Sequence, residues 1–206
     1  MIIDLKTVPE VTDKRFSMVD DGAVEVETGE LLYGFIRRLK PTSVLSTGTY
    51  TGISDLFIAQ GLKDNGIGHL WAIEFEQQHI DRANKLWKEK NVYDWVTSIN
   101  SSSLDFQPDK QYQFMFLDTE LNLRFHELVK FSPYLDEGGY IFIHDMPRTL
   151  CQGNVNLDHP EIPNWPVGIL PQRFLDLMKE GKLKSMYFGG ARGLVGFYKP
   201  HREDFI

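Results

Sequence analysis

Ser43-Val44-Leu45-Ser46-Thr47-Gly48-Thr49-Tyr50-Thr51-Gly52-Ile53-Ser54 is the stretch on which the fold turns. A short strand-like run ends in a glycine turn, and a helix then starts at Ile53 and runs to Leu62. Glycine at 48 lets the backbone come close to a ligand. Gly52 opens a helix whose first N–H groups can hold an anionic group such as a carboxylate or phosphate. On their own the two glycines are equally consistent with a tight strand-to-helix turn in any α/β protein.

Working outward, Val26, Leu31, Leu32, Phe35, Ile36 and Leu39 recur at helical spacing until Lys40-Pro41, which predicts a helix over about 27–40. Residues 1–24 form an N-terminal segment without clear period. Downstream, short apolar runs alternate with amphipathic stretches, the pattern of a parallel sheet flanked by helices. Strands are predicted at 69–74, 95–99, 113–118 and 140–145. Helices are predicted at 77–90 and 121–134. The run Phe114-Met115-Phe116-Leu117 is apolar without interruption, as a strand buried on both faces should be.

Residues 146–169 hold four of the ten prolines and read as one long loop, placed as a lid over an active site. A helix at 172–180 follows. Two runs, 183–188 and 194–198, flank Gly189-Gly190-Ala191-Arg192-Gly193 and predict a closing antiparallel hairpin. The expectation is a single domain over 1–206, a doubly wound, mostly parallel sheet with an antiparallel C-terminal hairpin.

Composition bounds the function. The 206 residues carry 22 Lys+Arg against 29 Asp+Glu, a formal charge of −7, with 42% hydrophobic and 13% aromatic residues. Disordered and fibrous classes are excluded, and a chain of this length supports its own core without a metal or disulfide staple. Cys151 is the single cysteine, so neither an intramolecular disulfide nor a multi-cysteine zinc site can form. That favours a reducing, cytoplasmic setting. No run approaches the ~18 apolar residues of a spanning helix, and the N-terminus lacks a signal-peptide pattern, so no membrane partner is expected. The acidic balance argues against nucleic acid and for a small ligand. A homodimer through the N-terminal segment is left open.

In open α/β sheets, ligands sit outside the carboxyl ends of the strands. The residues there are polar: Ser46 and the glycine turn after the first strand, Glu74 after the second, Asp118 after the fourth, and His144-Asp145 after the fifth. Glu74 stands at the roughly 20-residue offset at which an acidic residue accepts hydrogen bonds from a ribose diol. Each residue also has a structural reading. Glu74 also reads as a helix cap, Asp118 and Asp145 as strand-end caps, and Ser101-Ser102-Ser103 as a turn.

Val44 to Ser54, Ala72-Ile73-Glu74, Phe116-Leu117-Asp118 and Gly138-Gly139-Tyr140-Ile141-Phe142-Ile143-His144-Asp145 together resemble the successive motifs of class I S-adenosylmethionine-dependent methyltransferases. The likeness is strongest to small-molecule O-methyltransferases of the catechol and macrocin type. It implies a Rossmann-like, seven-stranded fold and methyl transfer to a hydroxyl of a sugar, phenol or natural product. By the same resemblance Gly48, Thr49, Tyr50 and Gly52 cradle the methionine moiety, Ser46 stands at the cofactor-binding position beside the amino group, Glu74 binds the ribose hydroxyls, and Ser101 and Ser102, with Ser103, flank adenine. In metal-using relatives, carboxylates at the places of Asp118 and Asp145 hold Mg2+ or another divalent cation that binds the acceptor oxygen.

Two departures stand out. Where the family carries an acidic residue that orders the cofactor's amino group, Ser46 offers a weaker, uncharged bond. After Asp145, where metal-using relatives carry Asp or Asn, Met146-Pro147 follows. The chemistry needs a group to take the acceptor's proton, either a hydroxyl acidified by a cation held by Asp118 and Asp145 or a histidine base. His144 is the nearest histidine, with His126 and His159 behind it, and Glu120 is a candidate replacement carboxylate for the metal pattern. Strand alternation sets His144 and Asp145 on opposite faces. Trp165 either covers an acceptor ring or pins the loop, and Cys151 lacks the neighbours of a nucleophile. Two other readings remain at this point: a catalytically degenerate member that binds a nucleotide-like ligand or a protein partner, and a nicotinamide-dependent oxidoreductase. The second is disfavoured because the three-glycine fingerprint is missing.

Overall fold

The strand β1 (Ser43–Thr47) is buried from Val44 onward, and the helix that follows it is buried over most of its circumference. The computed structural model describes residues 2–3, 17–19, 22–146, 148, 157–158, 166–168, 172–189 and 192–201. The chain divides into two compact units, 1–103 and 104–206.

In the first unit, α1 (Val26–Leu39) buries Val26, Gly29, Leu32 and Ile36, and stops at Lys40, whose φ of 52° is left-handed, just before Pro41. Gly29 lies against the Phe57 ring, and a Cβ there would come within 2.3 Å of it. α2 (Ile53–Asn65) runs past the expected end at Leu62. Its last turn, Lys63-Asp64-Asn65, is polar and carries no apolar period, yet Asn65 Nδ2 donates to the Ile36 carbonyl at 2.8 Å, and Gly66 at φ 69° closes the helix. β2 (His69–Glu74), α3 (Gln77–Glu89) and β3 (Val96–Asn100) follow. β1 and β2 are parallel with Thr47 beside Ile73, and β2 and β3 are parallel with Glu74 beside Asn100.

In the second unit, β4 (Tyr112–Leu117) leads into α4 (Leu121–Phe131), a 3-10 turn at Ser132–Tyr134 and β5 (Leu135–His144). β5 starts earlier than its apolar run. Gly138 sits within it at φ 78° and donates its N–H to the Lys199 carbonyl, an irregularity inside the strand. A two-stranded antiparallel pair, β6 (Leu157–Asp158) and β7 (Pro166–Gly168), interrupts the stretch expected to be loop throughout. α5 (Gln172–Lys179), β8 (Lys184–Phe188) and β9 (Leu194–Tyr198) complete the chain. β4 and β5 are parallel, whereas β9 runs antiparallel to both β5 and β8. The seven-stranded sheet has the order β3-β2-β1-β4-β5-β9-β8, parallel strands closed by the expected antiparallel hairpin. Its core includes Phe114, Phe116 and Phe142, with the rings of Phe114 and Phe142 5.4 Å apart.

Most of 146–169, with Cys151, His159 and Trp165, and most of the N-terminal segment lie outside the described residues, and with them the expected lid. Among the described residues no helix is long and apolar enough to cross a membrane.

Candidate active site

In the first unit the glycine turn is locked to the end of β2. Gly48 takes φ 75° and donates its N–H to the Ile73 carbonyl at 3.0 Å. Tyr50 is left-handed at φ 46°, which directs its N–H to Glu74 Oε2 at 2.9 Å. Glu74 Oε1 accepts the Glu76 N–H at 3.0 Å, and His79 Nδ1 lies 3.7 Å from the same oxygen. The buried Glu74 carboxylate is thus held by main-chain donors, and each oxygen keeps further accepting capacity. Gly52 has two reasons to be glycine: its φ is 80°, and a Cβ would stand 2.7 Å from Ala83 Cβ and 2.9 Å from Trp87 Nε1, the indole that donates to the Gly52 carbonyl. The tight-turn reading and the ligand reading therefore coexist there.

The buried hydroxyls of Thr47 and Thr49 have no hydrogen-bond partner among the described residues. Leaving such a group unsatisfied costs about 1–3 kcal/mol, and a ligand seated in the turn would relieve it. Thr49, the glycine turn and the fixed Glu74 carboxylate suit a ligand with both polar and ribose-like groups, so this part of the chain fits the nucleoside cofactor that the sequence motifs imply.

Ser46 is not isolated. Its Oγ donates to Asp55 Oδ1 at 2.6 Å, and both residues are buried. The carboxylate lacking at position 46 is supplied from the first turn of α2, three residues past Gly52. Sequence reasoning missed Asp55 because it sits inside a helix rather than at a strand end. At the exit of β3, Asn100 Nδ2 donates to the Phe75 carbonyl at 3.0 Å, and the Ser101 N–H donates to the Glu74 carbonyl at 3.0 Å. Ser101 Oγ donates to the Ser102 carbonyl, which supports the turn reading; both serines are half-buried, and Ser103 is buried. Phe75 was also missed: its ring is 66% exposed directly after Glu74.

The second unit holds a charged cluster. Asp118 follows the last residue of β4, and His144 is the last residue of β5. Asp145 then turns into the left-handed region at φ 55°, which cancels the strand alternation expected to separate it from His144. Both side chains enter one cluster: His144 Nδ1 is 3.1 Å from Asp118 Oδ1 and 3.7 Å from Asp145 Oδ1. The imidazole is fully buried. His126 and Glu120 are exposed on α4 and at its N-terminal cap.

The residue that organises this cluster, absent from the expected set, is Arg124 of α4. Its Nη2 donates to Asp118 Oδ1 at 2.8 Å, its Nη1 to Asp145 Oδ2 at 3.0 Å and to the His144 carbonyl, and its Nε to the Thr119 carbonyl at 2.8 Å. Arg192 Nε lies 3.2 Å from Asp145 Oδ1. Burial alone would raise the Asp145 pKa, but the charges of His144, Arg124 and Arg192 outweigh it and hold the carboxyl below the usual carboxylate range. Thr119 Oγ1 donates to the buried Glu127 at 2.8 Å. Asp118 and Asp145 do not fit a divalent cation as a pair, because one buried guanidinium already bridges them.

Residues 45–146 match the family described as Methyltransferase domain. The chain is 27% identical over 135 residues to a Mycolicibacterium smegmatis protein whose O-methyltransferase name is itself inferred, the match covering 64% of this chain and 63% of that protein. This chain therefore spans less than two thirds of the length of that relative. Among solved structures, the O-methyltransferase TomG of Streptomyces achromogenes, involved in tomaymycin synthesis and solved with S-adenosylmethionine, is similar with a TM-score of 0.66 at 19% identity, covering 89% of this chain and 84% of TomG. The Bacillus cereus O-methyltransferase, solved with S-adenosylhomocysteine, gives a TM-score of 0.69 at 17% identity over 87% and 84% of the two chains. These two structural likenesses speak to the fold.

Proposed function

We propose that this chain, whose residues 45–146 match the family described as Methyltransferase domain, transfers a methyl group from S-adenosylmethionine to a hydroxyl oxygen of a small-molecule acceptor, such as a sugar, a phenol or a natural product. The observation that carries the reading is the glycine turn clamped to Glu74 through the Tyr50 N–H, beside the buried hydroxyl of Thr49, which has no partner among the described residues.

When bound, the cofactor supplies a methyl group on a positively charged sulfur. The chain's work is to hold, orient and deprotonate. Gly48, Thr49, Tyr50 and Gly52 enclose the methionine portion, with the Thr49 hydroxyl offering a hydrogen bond. The Ser46–Asp55 pair places a carboxylate for the cofactor's ammonium group. Glu74, its carboxylate oriented by two backbone N–H groups, accepts from the ribose diol. Phe75 offers an exposed ring face to adenine, with Ser101 and Ser102 at its edge.

Asp118, His144 and Asp145 are assigned to the acceptor. Asp118 stands at the end of β4 with its side chain not fully buried, so it would accept the hydrogen bond of the acceptor hydroxyl and take its proton as the oxygen gains the methyl group and the sulfur–methyl bond breaks, its electron pair staying on a neutral sulfur. His144, buried behind it, holds Asp118 in orientation, and Asp145 balances the two arginines. Alignment of the oxygen behind the methyl group is the main contribution such a site makes.

Calorimetric and thermal-shift titration with S-adenosylmethionine and S-adenosylhomocysteine tests the reading, since a ligand at ~100 times its dissociation constant stabilises a fold by about 2.7 kcal/mol. Absence of any shift at millimolar ligand overturns it. Release of S-adenosylhomocysteine across an acceptor panel of sugars and phenols then identifies the substrate class.

A further inference from the structure

We propose that Arg124 is the built-in cation of the Asp118/Asp145 pair: its guanidinium takes the place that a divalent ion would need, and the two carboxylates hold no metal in the working protein.

The argument is one of donors, charge and space. A guanidinium has five N–H groups and stays protonated at any physiological pH. Four of the five are accounted for here, by Asp118 Oδ1, Asp145 Oδ2 and the carbonyls of Thr119 and His144. The two carbonyls matter most, because they fix the plane of the group independently of the carboxylates. The side chain is 6% exposed, so it cannot swing into water while the fold stays as it is.

A hard divalent ion takes carboxylate oxygens at roughly 2.0–2.6 Å. The Asp118 and Asp145 oxygens that would have to converge on it instead face opposite nitrogens of one guanidinium. The remaining Asp145 oxygen, Oδ1, faces Arg192 Nε at 3.2 Å. Arg124 and Arg192 already pair with these two carboxylates, so a divalent ion seated between Asp118 and Asp145 would have to displace Arg124, and that would strand a buried cation. Arg124 is thus a positioning residue: it fixes Asp118 and Asp145 and supplies the positive charge that a metal would otherwise provide.

The test needs neither acceptor nor turnover and so is separable from the methyl-transfer reading. The purified full chain is titrated with Mn2+ at neutral pH, with the electron paramagnetic resonance signal of free Mn2+ as readout, for wild type, Asp118→Asn, Asp145→Asn and Arg124→Gln. The wild type is expected to leave the free signal at its buffer value. Arg124→Gln, which removes the guanidinium bridging the two carboxylates, is expected to gain Mn2+ affinity by at least about tenfold, and the double variant Arg124→Gln/Asp118→Asn, titrated in the same way, to lose it again. Saturable wild-type binding that either carboxylate variant abolishes overturns the proposal, as does a folded Arg124→Gln protein that gains no Mn2+. If Arg124→Gln fails to fold by circular dichroism, the wild type and the carboxylate variants decide alone. An S-adenosylhomocysteine thermal shift on the same samples reports on the methyl-transfer reading, so the two can fail independently.

Discussion

Ser46 donates its hydroxyl hydrogen to Asp55 over 2.6 Å, and both residues are buried beside the glycine turn. A carboxylate on a helix therefore reaches the place where a strand residue is uncharged. Asp55→Asn removes the charge and keeps the shape. It is expected to weaken S-adenosylhomocysteine binding by about 10- to 100-fold, the range of a charge-assisted hydrogen bond. Binding of 5′-methylthioadenosine, which lacks the amino acid portion, should barely change. Equal losses for the two ligands in calorimetry would mean that Asp55 supports the turn and does not meet the ammonium group.

Glu74 accepts the Tyr50 and Glu76 N–H groups through its two oxygens. In Glu74→Gln one of those donors faces an amide NH2. The expected result is a lower melting temperature, by the equivalent of about 1–3 kcal/mol for an unsatisfied buried donor, together with weaker cofactor binding. Retained stability with retained affinity would remove Glu74 from the site.

Gly52 and Gly66 share a left-handed backbone, but only Gly52 is crowded, with Ala83 Cβ 2.7 Å from the position a Cβ would take. Gly66→Ala should cost about 1–2 kcal/mol, the strain of a left-handed residue. Gly52→Ala should cost that plus roughly 1–3 kcal/mol of overpacking against α3. Denaturant unfolding of the two variants separates the contributions, and equal losses would contradict the packing.

Asp145 has a folded pKa held below its unfolded value by its cationic neighbours in spite of burial. Its contribution to stability is therefore full above the unfolded carboxylate value, near 3.9, and is lost as pH falls through the lower folded value. Asp145→Asn should flatten the acid limb of a melting-temperature profile at pH values below the unfolded carboxylate value. At neutral pH it should cost about 3–5 kcal/mol, because Arg124 and Arg192 lose a buried partner. A variant as stable as wild type at pH 7, with an unchanged acid limb, would refute this.

Much of the fold was legible in the sequence because its signals are local. The apolar run from Phe114 to Leu117 marks a strand covered on both faces, the amphipathic stretch after Glu74 marks a helix with one dry side, and the glycines at 48 and 52 mark a turn that other residues cannot make. Even the misplaced ends have local causes. Polar residues at 63–65 extend α2 without a periodic signal, and Gly138 lies inside β5 because its N–H, at a positive φ that glycine adopts freely, still donates to the Lys199 carbonyl.

The site was legible only in part, and the missed residues share a reason. Asp55 and Arg124 lie within helices, where no strand-end rule marks them, and their importance comes from what they reach: Ser46 nine residues away, and Asp145 across twenty-one. The alternation rule failed at Asp145 because one left-handed residue reverses the direction of a side chain, and nothing in a residue pattern announces that at a non-glycine position.

By itself the sequence determined the alternating α/β architecture, the turn and the strand-end residues Glu74, Asp118 and His144, since periodicity and glycine placement act through neighbours along the chain. Only the tertiary structure decided which charges meet. Ser46 finds its carboxylate in Asp55, and Asp118 and Asp145 find their cation in Arg124, because such pairings depend on helix rotation and strand register, which bring together groups far apart in sequence and remove them from water.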